Sequence, residues 1–304
     1  MINSITKKKD IIEKIIFYLI VLLPIILVSG PFLSDLSISV IAILFIYISY
    51  KKKLLFYYTN IFSKGFGIFF TILIITSIFS LDPIISLKKT IFFFRFWIFS
   101  LAVWYIFNLK KKELLKYLIF TFTLIFIILI IDGYIQFLTS KNIFGWPIQN
   151  TRVSSLFKDE LILGSYLSRL LPLYFGMLVF TNFEKKFYKY LLFFSIFVGI
   201  ETLTFLSGER VAFFFINASS LMLILTMKNY KLFRIYSILT SILLIVFLVN
   251  FYPKSADRII DQTITQLGFE QSKKNNNNDG VKNSKTDNSL NKKKYIFSVE
   301  HQNH

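Results

Sequence analysis

The sequence contains no cysteine and only two histidines, His301 and His304, both at its very end. Disulfide bonds, thiolate catalysis and cysteine-based metal sites are therefore excluded, and so is a histidine-based metal site elsewhere in the chain. Charged residues are also scarce, at 17% of the 304 residues. We expect neither a metal nor a cofactor.

Hydrophobic residues, by contrast, make up 55% of the chain, and the mean hydropathy is +0.61. A soluble domain of this length cannot hide so much apolar surface in one core, so lipid must cover part of it. The net charge of +18 does not indicate nucleic-acid binding, because the lysines cluster between apolar runs. The composition indicates an integral membrane protein.

Nine apolar segments are predicted to cross about 30 Å of hydrocarbon as helices. Backbone groups in lipid must be bonded internally, so the predicted fold is an all-α, polytopic transmembrane bundle. The first segment lacks a signal-peptide cleavage site and is interpreted as an uncleaved span. The predicted spans are 15–34, 36–50, 65–81, 90–108, 117–138, 161–181, 190–206, 211–227 and 235–252.

The basic residues orient these spans. With a cytoplasmic N-terminus, 18 lysines and arginines between Lys7 and Arg234 fall on the inner side, and six fall outside. This asymmetry follows the positive-inside rule. The transmembrane domain is predicted to cover residues 1–252, and residues 253–304 to begin a large external loop. Within that loop, residues 270–294 have low complexity and are predicted to be disordered.

Charged side chains inside apolar spans are costly, so each needs a partner or a function. For any single residue, a structural ion pair is the alternative, for example Arg169 with Glu201 or Arg210 with Glu209. As a set, they favour a site that faces outward, and clustered guanidinium groups favour an anionic ligand such as a lipid-linked pyrophosphate. The candidates are Arg95, Asp132, Arg152, Arg169, Glu201 and Arg210.

Three stretches carry a resemblance to a known family: 132–137 (DGYIQF), 152–157 (RVSSLF) together with 163–167 (LGSYL), and 206–212 (LSGERVA). In these stretches and in their order, the chain resembles the O-antigen ligase and polymerase superfamily. The resemblance implies a C-type glycosyltransferase architecture in the cytoplasmic (inner) membrane of a bacterium. Such enzymes move a saccharide from an undecaprenyl-pyrophosphate carrier to an acceptor hydroxyl, on lipid A core or on another glycan. Arg210 would then be the catalytic residue that holds the leaving pyrophosphate, and Arg152 and Arg169 would assist.

The chain departs from this family at its end. The family's His-Asn-x-Tyr segment, which is thought to activate the acceptor, is poorly matched by the residues from His301 to His304. The simplest account is an incomplete reading frame whose general base lies beyond residue 304, and this chain is then expected to bind the carrier without catalysing transfer. Two alternatives stay open: a transporter or flippase for an anionic solute or lipid-linked glycan, and a catalytically inert membrane component.

Overall fold

The computed structural model describes residues 2–149, 151–181, 187–227 and 230–251, with the backbone alone for 2–10 and 187–189. Every regular element in these ranges is a helix. The predicted external loop from residue 253, with its low-complexity stretch and both histidines, lies outside the described residues. The α-helices are α1 (Ile2–Ile26), α2 (Pro31–Lys52), α3 (Ile61–Ile78), α4 (Pro83–Thr139), α5 (Leu163–Phe180), α6 (Phe187–Leu206), α7 (Arg210–Thr226) and α8 (Lys231–Phe251).

Six helical stretches of the described chain are long and apolar enough to cross a membrane. They are Ile11–Ser29, Pro31–Lys52, Ile61–Ile78, Pro83–Thr139, Leu163–Phe180 and Lys231–Phe251. Two further apolar helices, Tyr190–Leu206 and Arg210–Thr226, are shorter. The described chain is therefore an all-helical protein with the apolar helices of a membrane protein, as the composition predicted.

The boundary between the first two helices differs from the predicted spans 15–34 and 36–50. A 3-10 turn at Leu27–Ser29 ends α1, Gly30 has a φ of 118°, and Pro31 is the first residue of α2. Glycine adopts positive φ without a steric penalty, and proline suits the first helical position because its missing N–H would be unpaired there anyway. The second helix thus has 22 residues and is longer than predicted.

Helix α4 contains both predicted spans 90–108 and 117–138 in 57 residues, with a non-helical backbone at Lys110 (φ −139°, ψ 44°). We call residues 83–109 the first arm and residues 111–139 the second arm. The first arm runs in the direction of α2, because Arg95 pairs with Asp35 near the start of α2 and Tyr105 contacts Lys52 at its end.

The second arm runs in the direction of α1. The ring centroids of Phe17 and Tyr117 lie 5.9 Å apart, and Val28, in the turn that follows α1, belongs to the same core cluster as Leu129 further along the second arm. Because α1 and α2 are joined by the turn at Gly30 and pack side by side, they are antiparallel. The two arms of α4 therefore run in opposite directions, and the chain reverses at Lys110.

Two groups of buried side chains hold the helices together. One joins α1, α2 and the first arm around Phe45 and Leu101; the other joins the second arm, α5 and α6 around Phe126 and Phe197. In lipid, such contacts stabilise mainly through close packing. The second group underlies the candidate site, because it fixes the ends of the second arm, α5 and α6.

Candidate functional site

The turn between α6 and α7 is only a few residues long. Gly208 has a φ of 67° and donates its amide to the Phe205 carbonyl at 3.0 Å, which ends α6. Left-handed glycine is a common way to stop a helix. Glu209 then adopts an extended backbone (φ −89°, ψ 94°) and precedes α7, but its side chain does not cap that helix. The carboxylate is therefore directed to another element.

That element is the start of α5. Glu209 Oε1 accepts the Gly164 amide at 2.8 Å, and Oε2 accepts the Ser165 amide at 3.1 Å and the Ser165 hydroxyl at 2.5 Å. The first amides of a helix have no partner within the helix, and its macrodipole favours an anion there. Glu209 thus fills the anion site at the N-terminus of α5 and ties the α6–α7 turn to it.

Arg152 closes the other side of this turn. Its Nε donates to the Ser207 carbonyl at 2.7 Å, and one terminal nitrogen donates to the Leu161 carbonyl at 3.0 Å and lies 3.7 Å from Glu209 Oε1. The residue is 8% exposed. Its sequence-predicted role was to bind substrate; the structure shows that it cross-links three parts of the chain and partly compensates the Glu209 charge.

Gly164 allows α5 to approach the α6–α7 turn. A Cβ at this position would overlap Ser207 Oγ and would lie 3.1 Å from Glu209 Cβ and 3.2 Å from Ala212 Cβ. Small residues permit such close helix contacts in membrane proteins. The glycine therefore sets the spacing that brings the Gly164 amide within reach of Glu209.

The connection 140–162 is anchored by two side chains at the end of the second arm. Asp132 accepts the Ile143 amide at 2.9 Å and the Ser155 hydroxyl at 2.7 Å. Gln136 Oε1 accepts the amides of Ser154 and Ser155 at 3.0 and 2.7 Å. Asp132 and Gln136 are fully buried. Asp132, a predicted substrate ligand, therefore acts as an anchor for the connection that carries Arg152.

Two further arginines belong to this region. Arg210 is the first residue of α7 and is half-buried. A cation at a helix N-terminus opposes the macrodipole, so its placement there is not explained by helix stability. Arg169 lies on the exposed side of α5, two turns after its start.

Arg95 does not join this group. Its guanidinium lies 2.7 Å from Asp35 Oδ2, and its arm of α4 packs with α1, α2 and α3. The pair explains the charge in the first arm without a ligand. The sequence analysis grouped Arg95 with the residues of an outward-facing site, and the structure does not place it there.

Glu201 also has a different partner from the one considered. Its carboxylate forms an ion pair with Arg234 and accepts the Ser241 hydroxyl. Arg234 is 1% exposed, lies within α8 and also contacts the hydroxyls of Ser220 and Ser237. The sequence analysis counted Arg234 among the cations of the inner side and gave it no partner; in the structure its long side chain turns inward to a buried carboxylate.

The site was only partly foreseen. Sequence reasoning identified Arg152, Asp132 and Arg210, but assigned no role to Gln136 or Ser165. Gln136 lies four residues after Asp132, on the same side of a helix, and that spacing was the available signal. Among the described residues, no group of three or more histidine, cysteine, aspartate or glutamate side chains is arranged to hold a metal ion.

Comparisons of the chain with protein-family models, with curated proteins and with solved structures give no match. Chemically, the site combines an ion pair, in which Arg152 is buried and Glu209 partly buried, with an adjacent arginine at the start of α7. This arrangement is suited to presenting the Arg210 guanidinium, at the start of α7, to an anion, whereas the first amides of α5 are already bonded to Glu209.

Proposed function

We propose that this protein is a polytopic glycosyltransferase of the O-antigen ligase and polymerase type. It binds a pyrophosphate-linked glycan carrier at the end of the bundle where α5 and α7 begin. The proposal places the chain in a bacterial cytoplasmic membrane with nine crossings, an internal N-terminus and this end outside, as the lysine asymmetry predicts. The reversal at Lys110 supports two crossings within α4.

The observation that carries the proposal is the meeting of the three stretches behind the family resemblance. Ser155, in the second stretch, donates to Asp132, in the first, at 2.7 Å. Arg152 donates to Ser207, in the third, at 2.7 Å. Gly164 donates to Glu209 at 2.8 Å. Residues far apart in sequence thus form one connected polar site, which supports a shared function for them.

In the proposed reaction, an acceptor hydroxyl attacks the anomeric carbon of the carrier-linked sugar, the bond to the pyrophosphate oxygen breaks, and a base accepts the hydroxyl proton. Negative charge grows on the leaving pyrophosphate. Arg210 stabilises that charge, because a fixed guanidinium provides bidentate hydrogen bonds without reorganisation. Arg152 and Glu209 are positioning residues that hold the α6–α7 turn and thereby the start of α7.

Arg169 has a separate part in this proposal. Its side chain is exposed, and no hydrogen-bond or ion-pair partner for it is present among the described residues. Arg169 lies near the middle of its predicted span 161–181, and a long cationic side chain at such a position extends towards the headgroup level of the bilayer. We propose that Arg169 attracts the carrier headgroup as the carrier approaches the site from the lipid.

The test compares binding of undecaprenyl pyrophosphate with binding of undecaprenol, which lacks the charged group, to the purified chain in nanodiscs. Wild type should prefer the pyrophosphate. Arg210→Gln should lower that affinity about ten- to a hundredfold, the effect of losing a hydrogen bond between charged groups. Lys158→Gln is the matched control, because it removes an exposed cation of the 140–162 connection. Equal binding of both lipids, or full binding by Arg210→Gln, would overturn the proposal.

A second measurement separates transfer from transport. Membranes that contain the protein are assayed for glycan transfer and, independently, for movement of the carrier across the bilayer. Transfer that Arg210→Lys abolishes, with normal insertion, supports the glycosyltransferase, because an ammonium group cannot make the bidentate contact. Vectorial movement without transfer would identify a flippase instead.

A further inference from the structure

A second feature lies at the opposite end of the bundle, where α2 ends. An open groove separates the last turns of α2 from the first arm of α4, and the segment 53–58 forms its third wall. Its volume, counted to the open mouth, is about 1420 Å³. The lining residues are Ile46, Ser49, Tyr50, Lys51, Lys53, Leu55, Tyr58, Phe94 and Ile98.

The three consecutive lysines at this end of α2 have different surroundings: Lys52 contacts interior residues, whereas Lys51 and Lys53 line the groove. Lys52 forms an ion pair with Glu13 and donates to Tyr105 at 3.0 Å, on the interior side. Lys53 has a left-handed backbone (φ 53°, ψ 47°) and ends the helix by donating its amide to Ser49. This turn places Lys51 and Lys53 on the groove, although they are only two residues apart.

The groove carries uncompensated positive charge. The Lys51 ammonium lies 4.8 Å from the Tyr47 ring centroid, and in the described part of the chain neither Lys51 nor Lys53 has a carboxylate partner. No acidic residue lines the groove. The remaining walls are mostly apolar or aromatic: Tyr58 stacks on Phe45 at 6.2 Å, while Ile46 and Phe94 are 47% and 40% exposed.

We propose that this groove binds an anionic glycerophospholipid of the leaflet at the lysine-rich end of the bundle. Its phosphate would contact Lys51 and Lys53, and its acyl chains would lie along Ile46 and Phe94. Lysine and tyrosine beside apolar side chains are typical of the membrane interface, and basic residues there attract anionic headgroups. A soluble phosphate compound would leave the apolar walls unused, which favours a lipid. The inference is independent of the proposed glycosyltransferase function.

The experiment measures lipid retention by native mass spectrometry after the delipidated protein is mixed with phosphatidylglycerol or phosphatidylcholine of the same acyl chains. Wild type should retain phosphatidylglycerol preferentially. The double variant Lys51→Gln/Lys53→Gln should weaken this binding roughly thirtyfold, since each basic group near the surface contributes about fivefold. Lys112→Gln/Lys116→Gln is the control, because it removes the same charge from exposed helical positions outside the groove and should change little.

Two further measurements test the groove itself. Ile46→Trp keeps both lysines but fills the apolar part, and should reduce phosphatidylglycerol binding. Glycerol phosphate, which has the headgroup phosphate without chains, should not compete. Each of four results would overturn the proposal. Two concern the lysines: equal retention of the two lipids by wild type, or equal losses in both double variants. The other two are unaltered binding by Ile46→Trp and competition by glycerol phosphate.

Discussion

Glu209, the residue immediately before α7, accepts the Gly164 amide of α5 at 2.8 Å. One carboxylate therefore links the turn between α6 and α7 to the N-terminus of α5. The same carboxylate has Arg152 as its ion partner at 3.7 Å. The start of α7, which carries Arg210, is consequently held by contacts that lie outside α7 itself.

Glu209→Gln should destabilise the protein by about 1–3 kcal/mol. The amide retains one acceptor oxygen but turns an NH₂ group towards helix amides, and it leaves the Arg152 guanidinium buried without its anion. Thermal unfolding in detergent measures the effect. Glu160→Gln, which changes an exposed acid, should stay within about 0.5 kcal/mol of wild type. Equal stabilities of the two variants would contradict a structural role for Glu209.

Gly164→Ala should separate α5 from the α6–α7 turn, because the new methyl overlaps Ser207 Oγ. Overpacking of this kind costs about 1–3 kcal/mol. Gly176→Ala in the same helix is the control, since a Cβ there meets nothing within 4 Å and alanine is favoured over glycine in helices by about 0.5–1 kcal/mol. Unfolding temperatures should therefore move in opposite directions, and a shift of the same sign in both would refute the close-approach argument.

Arg234→Met should leave the Glu201 carboxylate buried without its cation, at a cost of about 3–5 kcal/mol. The double variant Arg234→Met/Glu201→Met removes both charges and should be clearly more stable than the sum of the two single effects predicts. Unfolding curves of the four proteins measure this coupling. Additive effects would mean that the ion pair does not contribute to stability.

The lysine pattern predicts that the 51–64 and 182–189 loops are cytoplasmic and that 139–160 is external. Because the chain has no cysteine, single cysteines report position without background. An impermeant maleimide added to intact cells should label Lys158→Cys but not Lys112→Cys, and should label both after permeabilisation. The reverse labelling would overturn the topology and place the proposed carrier site on the wrong side.

The agreement between sequence and structure is closest where the information is local. The predicted spans 161–181 and 211–227 correspond to Leu163–Phe180 and Arg210–Thr226, because a long apolar run determines a helix by itself. The prediction was poorest between α1 and α2. There the apolar pattern continues through the turn, and the break depends on the backbone of Gly30 and Pro31.

The sequence by itself determined that this is a helical membrane protein, because hydropathy can be read along the chain. It also identified charged residues that needed an explanation. Only the tertiary structure decided their partners: Glu201 meets Ser241, 40 residues away, and Glu209 meets Gly164, 45 residues away. Such pairs depend on which helices pack together and at what depth their side chains meet. No local pattern of apolar residues contains that information.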